Sequence, residues 1–403
     1  MIGRRRSRWP GSWIGCHWRW AQVAGYCVQV GLSLAEYLDA YPRRRDELLA
    51  KGQPAGYPAT VATTWQLSVD QLAGRSPAAV QLLRLAAFLA AERIPLSLLA
   101  ADPQQLPDEL AAAVQDEAAL EATVGALVGL SLVARERGGL RLHRLVQAAT
   151  QASLPANQAA RWAERAVRLI GSAFPDQPED PQSWPQTAGL LAHAVAAADY
   201  ADTRQAAPEA TGELRNQVGR YLLSRGEFAA AREQLERALR LKEEAYGPDH
   251  PQVARTLGNL GYVLAELREL PAAREQMERA LHIEEATYGP DHREVAITLA
   301  NLSRVLSELG ESTAAREQLE RALRIEEAAY GPDHLEVART VYLLGILLRD
   351  LGDLPAAREQ LERALEITEA TLGADRPAIA TLRRNLDCVV QELGDKKRRD
   401  AGQ

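Results

Sequence analysis

Tyr246-Gly-Pro-Asp-His250 returns unchanged at Tyr288–His292 and at Tyr330–His334, and a decayed copy, Leu372-Gly-Ala-Asp-Arg376, follows. The interval is 42 residues each time. Ala-Arg-Glu-Gln recurs in the same phase, beginning at Ala231, Ala273, Ala315 and Ala357. A fixed period of this size predicts a stacked array in which each unit buries its apolar face against its neighbours.

Each unit reads as two helices, A and B. In the first, Leu257, Leu260, Gly261 and Leu264 fall at i, i+3, i+4 and i+7, which is one helical face. Leu299, Leu302, Ser303 and Leu306 repeat it, as do Val341, Leu344, Gly345 and Leu348. Ala273, Met277, Ala280 and Leu281 form the stripe of the second helix. Small residues at 261, 303 and 345 let the partner helix approach closely, which explains a glycine where alanine would favour the helix by about 1 kcal/mol.

The recurring pentapeptide supplies helix ends. Gly247 is expected in the left-handed conformation that closes a helix. Asp249 is expected to cap the next one, with Gln252 three residues on; Asp291 with Glu294 and Asp333 with Glu336 repeat that capping box. His250, His292 and His334 stand a whole repeat apart, about 10 Å at ordinary interhelical distances, too far to share one metal ion. They read as part of the turn.

These residues resemble the tetratricopeptide repeat in its longer, kinesin light chain-like form, over about 211–395. Leu260-Gly261, Leu302-Ser303 and Leu344-Gly345 match the family's Leu-Gly pair. Ala231, Ala273, Ala315 and Ala357 match its first small position in the second helix, and Ala238, Ala280, Ala322 and Ala364 the next. Asp387 stands where the last copy should have a small residue, so 377–395 is expected to be a capping helix. The resemblance implies an α-α superhelical solenoid whose A helices line a groove for a protein or peptide partner. Across that face run Arg255, Asn259, Tyr262 and Glu266, then Ile297, Asn301, Arg304 and Glu308, then Arg339, Leu343, Ile346 and Asp350. In the family, Asn at the position of Asn259 and Asn301 clasps an extended peptide backbone, which suits an amide that donates and accepts at once. Arg220, Arg255, Arg304, Arg339 and Arg384 could grip carboxylates of the ligand.

Upstream, from Tyr57 to Pro155, the period is absent. Helical patterns run over about 60–74, 77–90, 107–114 and 117–130, and then Ser131–Glu136 and Leu140–Leu145 flank Arg137-Gly138-Gly139. Alternating apolar residues around a Gly-Gly turn predict a β-hairpin, and helices followed by a hairpin predict a winged-helix-like domain. The helix before the wing carries Asp116, Glu117 and Glu121 and no Lys or Arg, which argues against nucleic acid as its ligand. Tyr57–Ser68, Leu82–Leu89 and Leu142-His143-Arg144-Leu-Val-Gln147 resemble the winged-helix segment of NB-ARC (STAND-type) switch ATPases, and Trp20–Tyr26 with Gly31–Leu38 resembles the end of their helical region. In that family a histidine in the place of His143 touches the β-phosphate of bound ADP, although the family's Met-His-Asp is Leu142-His143-Arg144 here. No Gly-x-x-x-x-Gly-Lys-Ser/Thr occurs, so no loop of backbone N–H groups cradles phosphates and no cofactor is expected. His143 would serve a nucleotide only if a separate NTPase domain supplied the core.

The remaining sequence sets the outer limits. Of 403 residues, 46% are apolar, 25% charged and only 5% aromatic, a composition in which helix formers dominate. No run of about 18 apolar residues is free of charge, which excludes a transmembrane helix. Residues 211–395 hold 23 basic against 33 acidic side chains, which disfavours a general nucleic-acid surface. The basic start (Arg4, Arg5, Arg6, Arg8) holds four of the seven tryptophans, and His17 with Arg19 breaks up any signal-peptide core. Three scattered cysteines fit a reducing, cytoplasmic setting. Gly31-Leu-Ser33-Leu-Ala35 faintly resembles a nucleophile elbow, but Ser33 with Glu36 reads as a capping box, and Cys16-His17 lacks an orienting third group.

The expected architecture is mostly α. It comprises an irregular start and helical-region remnant over 1–56, a winged-helix-like domain over 57–155, a helical linker over 156–210, a repeat array over 211–376, the capping helix over 377–395 and a basic disordered tail over 396–403. The expected function is non-catalytic, a scaffold or sensor binding a protein partner; the alternative is a DNA-linked regulator acting through the winged helix.

Overall fold

Short apolar periods bounded by proline and glycine divide the chain into many short helices, and a computed structural model describes them for residues 69–70, 72–373 and 377–401. The readings placed on 1–68, including the Trp-rich start, Cys16-His17, Ser33 and Tyr57–Ser68, lie outside the described residues. The chain divides into two units, one of residues 1–175 with 188–207, the other of 176–187 with 208–403.

In the first unit α1 (Pro77–Ala86) begins on proline, which suits a first helical position, and buries Ala79, Leu82, Leu83 and Leu85. It is followed by β1 (Arg93–Pro95), two 3-10 turns, α2 (Asp108–Val114), α3 (Glu117–Gly129), β2 (Val133–Glu136), β3 (Gly139–Leu142), α4 (Arg144–Ser153) and α5 (Ala156–Ala173). The strands form one antiparallel sheet in the order β1-β3-β2, with Ile94 opposite Leu140 and Val133 opposite Leu142. The hairpin turns on Arg137-Gly138, and Gly138 takes a φ of 70°. The second strand was expected to reach Leu145; it stops at Leu142, because His143 caps α4 by accepting the Leu145 N–H at 3.1 Å. Buried Gln147 of α4 donates to the carbonyls of Ala87 and Leu89 at 3.2 and 2.6 Å, satisfying acceptors left over at the end of α1. His193, on α6 (Trp184–Thr203), hydrogen-bonds the Arg93 carbonyl through Nε2 at 3.0 Å, and burial pushes its imidazole pKa down.

The second unit is built from helix pairs in the 42-residue register: α7 (Pro208–Ser224) with α8 (Phe228–Tyr246), α9 (Pro251–Glu266) with α10 (Leu270–Tyr288), α11 (Arg293–Glu308) with α12 (Ser312–Tyr330), and α13 (Leu335–Asp350) with α14 (Leu354–Leu372). The stripe Leu257, Leu260, Gly261 and Leu264 is buried, and so are both of its repeats. Close approach explains the small residue: a Cβ on Gly261 would lie 2.7 Å from Met277 Cγ and 3.2 Å from the Ala273 carbonyl oxygen. Leu281 is only half-buried in its own pair because it packs on the next pair's core of Val295, Ala296, Leu299, Ala322 and Ile325. Leu239 and Leu323 do the same one repeat before and after. The array therefore holds together by a leucine handed forward at each step.

The pentapeptide works differently from the capping box expected of it. The N-cap residues are His250, His292 and His334, whose Nδ1 atoms accept the N–H of Gln252, Glu294 and Glu336 at 3.1, 3.3 and 3.2 Å. Each ring also stacks on the tyrosine four residues earlier, with centroids 4.5 to 4.6 Å apart. Asp249, Asp291 and Asp333 lie one position too early and are exposed. Gly247, Gly289 and Gly331 do have positive φ, 86° to 90°, but with ψ near 160° rather than the left-handed helical value. That region is almost closed to any residue with a Cβ. The proline carbonyls are used too: Arg279, Arg321 and Arg363 donate to Pro248, Pro290 and Pro332 of the preceding loop at 2.9 to 3.2 Å. The same arginines pair with Glu243, Glu285 and Glu327, each at 2.6 Å.

At the end of the array Arg383 of α15 (Pro377–Ala401) takes over this role, pairing with Glu369 at 2.6 Å. The helix runs on through Lys396–Arg399, so the basic run is not the unstructured tail expected from sequence. Cations at a helix C-terminus are favoured by its dipole, and Arg398 pairs with Asp395 one turn back.

The histidine caps make a direct prediction. His250→Ala, His292→Ala and His334→Ala should each destabilise the array by about 1 kcal/mol, read as a lower urea midpoint, and His→Asn should restore most of it. Equal midpoints for the alanine variants and the parent would show that the caps carry no weight.

Candidate functional site

Helices α7, α9, α11 and α13 present one continuous A-helix face, and its side chains meet across repeats. Asn259 Nδ2 donates to Asn216 Oδ1 at 3.1 Å. Arg255 reaches back to Glu213 at 2.6 Å and also to Gln252 Oε1 at 2.7 Å. Arg304 binds Glu266 at 2.8 Å while its guanidinium lies 4.6 Å over the Tyr262 ring. Arg339 leans on Glu336 of its own helix at 3.4 Å. Arg220 pairs with Glu179. Asn301, Leu343 and Ile346 are half-buried members of the same line. Near its end Asn385 Nδ2 donates to the Tyr342 hydroxyl at 2.8 Å.

Arg220, Arg255, Asn259, Tyr262, Asn301, Arg304 and Arg339 thus lie along one face, spread over four helices rather than gathered into a pocket. The arginines expected to grip a ligand's carboxylates hold carboxylates of this chain: Arg220, Arg255, Arg304 and Arg339 pair with Glu179, Glu213, Glu266 and Glu336. The carboxylate partners Glu213, Glu266 and Glu308 were overlooked as functional positions, although Glu266 and Glu308 were part of the expected stripe. An Arg and a Glu 38 residues apart become neighbours once the 42-residue register stacks. Arg384 is exposed, 3.4 Å from the Thr381 hydroxyl.

Behind this face the array buries charge. Lys242, Glu284, Glu326 and Thr368 occupy one repeat position, and all four are buried. The Lys242 ammonium donates to Glu213 at 2.7 Å; burial pushes its pKa down against the pull of that carboxylate. Burial works to raise Glu213, but Lys242 and Arg255 together hold it below the usual carboxylate range. Burial pushes Glu284 up to about 7, with the Thr298 hydroxyl opposing and the Glu294 and Glu285 carboxylates adding to the rise. Glu326 is raised for the same first reason, opposed by Thr340 and Arg339.

His143 is half-buried, and its role as a cap fixes Nδ1 as an unprotonated acceptor. The sequence holds no phosphate loop of the Gly-x-x-x-x-Gly-Lys-Ser/Thr kind to accompany it. Among the described residues no group of three or more His, Cys, Asp and Glu could hold a metal ion, and no helix is long and apolar enough to cross a membrane.

Comparison with known proteins bears on both units. Residues 211–286, 259–328, 312–370 and 340–398 match the family model of the tetratricopeptide repeat. Residues 70–159 match a domain of unknown function, DUF7779. No curated protein matches the chain. Solved structures similar to it include a Podosopora anserina protein with nearly identical TPR-like repeats of the kinesin light chain kind, at 20% identity, TM-score 0.41, over 46% of this chain and 88% of that one. BtubC (BKLC) from P. vanneervenii is similar at 20% identity, TM-score 0.40, over 55% of this chain and 94% of that one. The apo form of RapI is similar at 14% identity, TM-score 0.38, over 63% and 90%. The second half of the chain carries tetratricopeptide repeats, and the protein is mostly helical.

Proposed function

We propose that the array is a protein-binding scaffold whose A-helix face holds an extended segment of a protein partner. The observation that carries this reading is the line of amides and paired charges that runs from Asn259, anchored on the buried Asn216, to Asn385, and offers donors and acceptors in succession along one face. Amides suit a peptide backbone, because each donates and accepts at once. No catalytic arrangement competes for these residues, and the protein is read as a non-enzymatic scaffold or sensor in the cytoplasm.

The first unit is read as a winged-helix-like domain of the NB-ARC (STAND-type) kind, with a separate NTPase domain as a partner. The order of helix, strand, two helices and hairpin supports that reading. The DNA-linked alternative is weakened by Glu121 of α3, which spends its charge on Arg135 of the hairpin at 2.7 Å and so removes a cation from the wing.

Asn259→Ala with Asn301→Ala should abolish partner capture, at least tenfold in affinity if each lost backbone clasp is worth about 1 kcal/mol or more, while the thermal midpoint moves little. Capture unchanged in the folded double variant would remove the groove assignment.

A further inference from the structure

The A-helix face is covered at its N-terminal end by the chain itself. The segment 176–187, which belongs to the same unit as the array, carries Asp176, Glu179 and Asp180 and no basic residue. Glu179 pairs with Arg220 of α7, and Arg220 Nη1 also approaches the Asp176 carbonyl at 3.5 Å. The Arg225 guanidinium lies 4.3 Å over the Trp184 ring, whose Nε1–H donates to the Glu179 carbonyl at 3.2 Å. The segment also holds its own shape: the Gln182 N–H donates to Asp180 Oδ1 at 2.9 Å, and Ser183 Oγ donates to the carbonyls of Gln177 and Asp180 at 2.9 and 2.8 Å.

Charge accounts for its position. Lys242 and Arg255 both bond Glu213, and Arg220 adds a third cation that acts on Lys242. Glu213 is taken by the first two, and Glu179 supplies the carboxylate for Arg220. We propose that residues 176–187 are an intramolecular ligand of the array, displaced when an acidic peptide segment of the partner places its own carboxylate on Arg220. This rests on the reading of the A-helix face as the partner site and adds the chemical class of what binds there. A tethered segment competes at an effective concentration in the millimolar range, so weak intrinsic contacts suffice to keep it in place.

The probe is a fluorescein-labelled synthetic peptide of residues 176–187, titrated into the full chain at low salt. Glu179→Gln loosens the tethered copy and should raise affinity for the peptide about tenfold over the parent. Adding Arg220→Gln to Glu179→Gln should return it to the parent's value. In the unaltered chain, excess unlabelled peptide should speed amide exchange across 176–187, a readout that needs no variant. Equal affinity of the parent and Glu179→Gln, a gain that survives loss of Arg220, or exchange unmoved by the peptide would each overturn the proposal. The asparagine variants probe the face farther along, so failure there with success here would remove the long groove and leave this contact standing.

Discussion

Glu284→Gln should stabilise the array at pH 8 by about 3 kcal/mol, and the gain should shrink to about 1 kcal/mol near pH 5. The carboxyl is buried between α10 and α11, and its pKa rises to about 7 from an ordinary value near 4.5. A carboxyl with a raised folded-state pKa binds its proton more tightly in the native chain, so its favourable contribution is complete at low pH. That contribution fades as pH climbs through the folded value, and a shift of this size corresponds to about 3 kcal/mol. The groups around it give no rescue. Thr298 offers one hydroxyl, while Glu294 on α11 and Glu285 on the same helix repel its charge. One repeat earlier the equivalent position is Lys242, neutralised by Glu213. The residue one repeat after Glu213 is Arg255, but its guanidinium is committed to Glu213 itself. Urea midpoints of the parent and Glu284→Gln at pH 5.5 and pH 8 decide the matter, because their difference cancels the general repulsion of an acidic chain. Parallel pH profiles would mean that Glu284 is charged and compensated in the folded protein.

Two glycines one turn apart on α9 should answer in opposite directions. Gly258 has nothing within 4 Å of the position a Cβ would take, so Gly258→Ala should gain up to about 1 kcal/mol from helix propensity. At Gly261 the Ala273 carbonyl stands 3.2 Å from that position and, being helical backbone, cannot swing aside. Gly261→Leu should therefore force α9 and α10 apart and cost about 3 kcal/mol or more. Thermal unfolding of the two variants measures both signs in one experiment. A mild loss at Gly261, similar to that of a surface substitution, would show that the pair is not packed this closely.

The helix pairs were legible because the repeat shows itself twice, as a 42-residue word and as a 3.6-residue stripe inside it. Gly261, Ser303 and Gly345 mark the tight crossing in the sequence itself. The caps were misassigned because aspartate is the commoner N-cap; the clue favouring histidine was the tyrosine placed four residues before each one, ready to stack on the ring. Strand β1 escaped notice because Arg93-Ile94-Pro95 is too short to show alternation. Of the candidate site, the residues were legible and their partners were not. Pairs such as Arg304–Glu266 and Asn259–Asn216 exist only after stacking, and a charge pattern along one helix does not announce them. Glu179 was hidden for the same reason, inside a proline-rich stretch that reads simply as a break.

The central claim is that a protein partner lies on the A-helix face, and site-specific photocrosslinking tests it most directly. A benzoylphenylalanine at Ile297, exposed on the A helix α11, should give adducts with a protein of the native cell extract, and one at Glu275, exposed on the B helix α10, should give none. Competition by the unlabelled full chain should erase the Ile297 adduct. Adducts at Glu275 without any at Ile297, or equal and uncompeted labelling at both, would contradict the account.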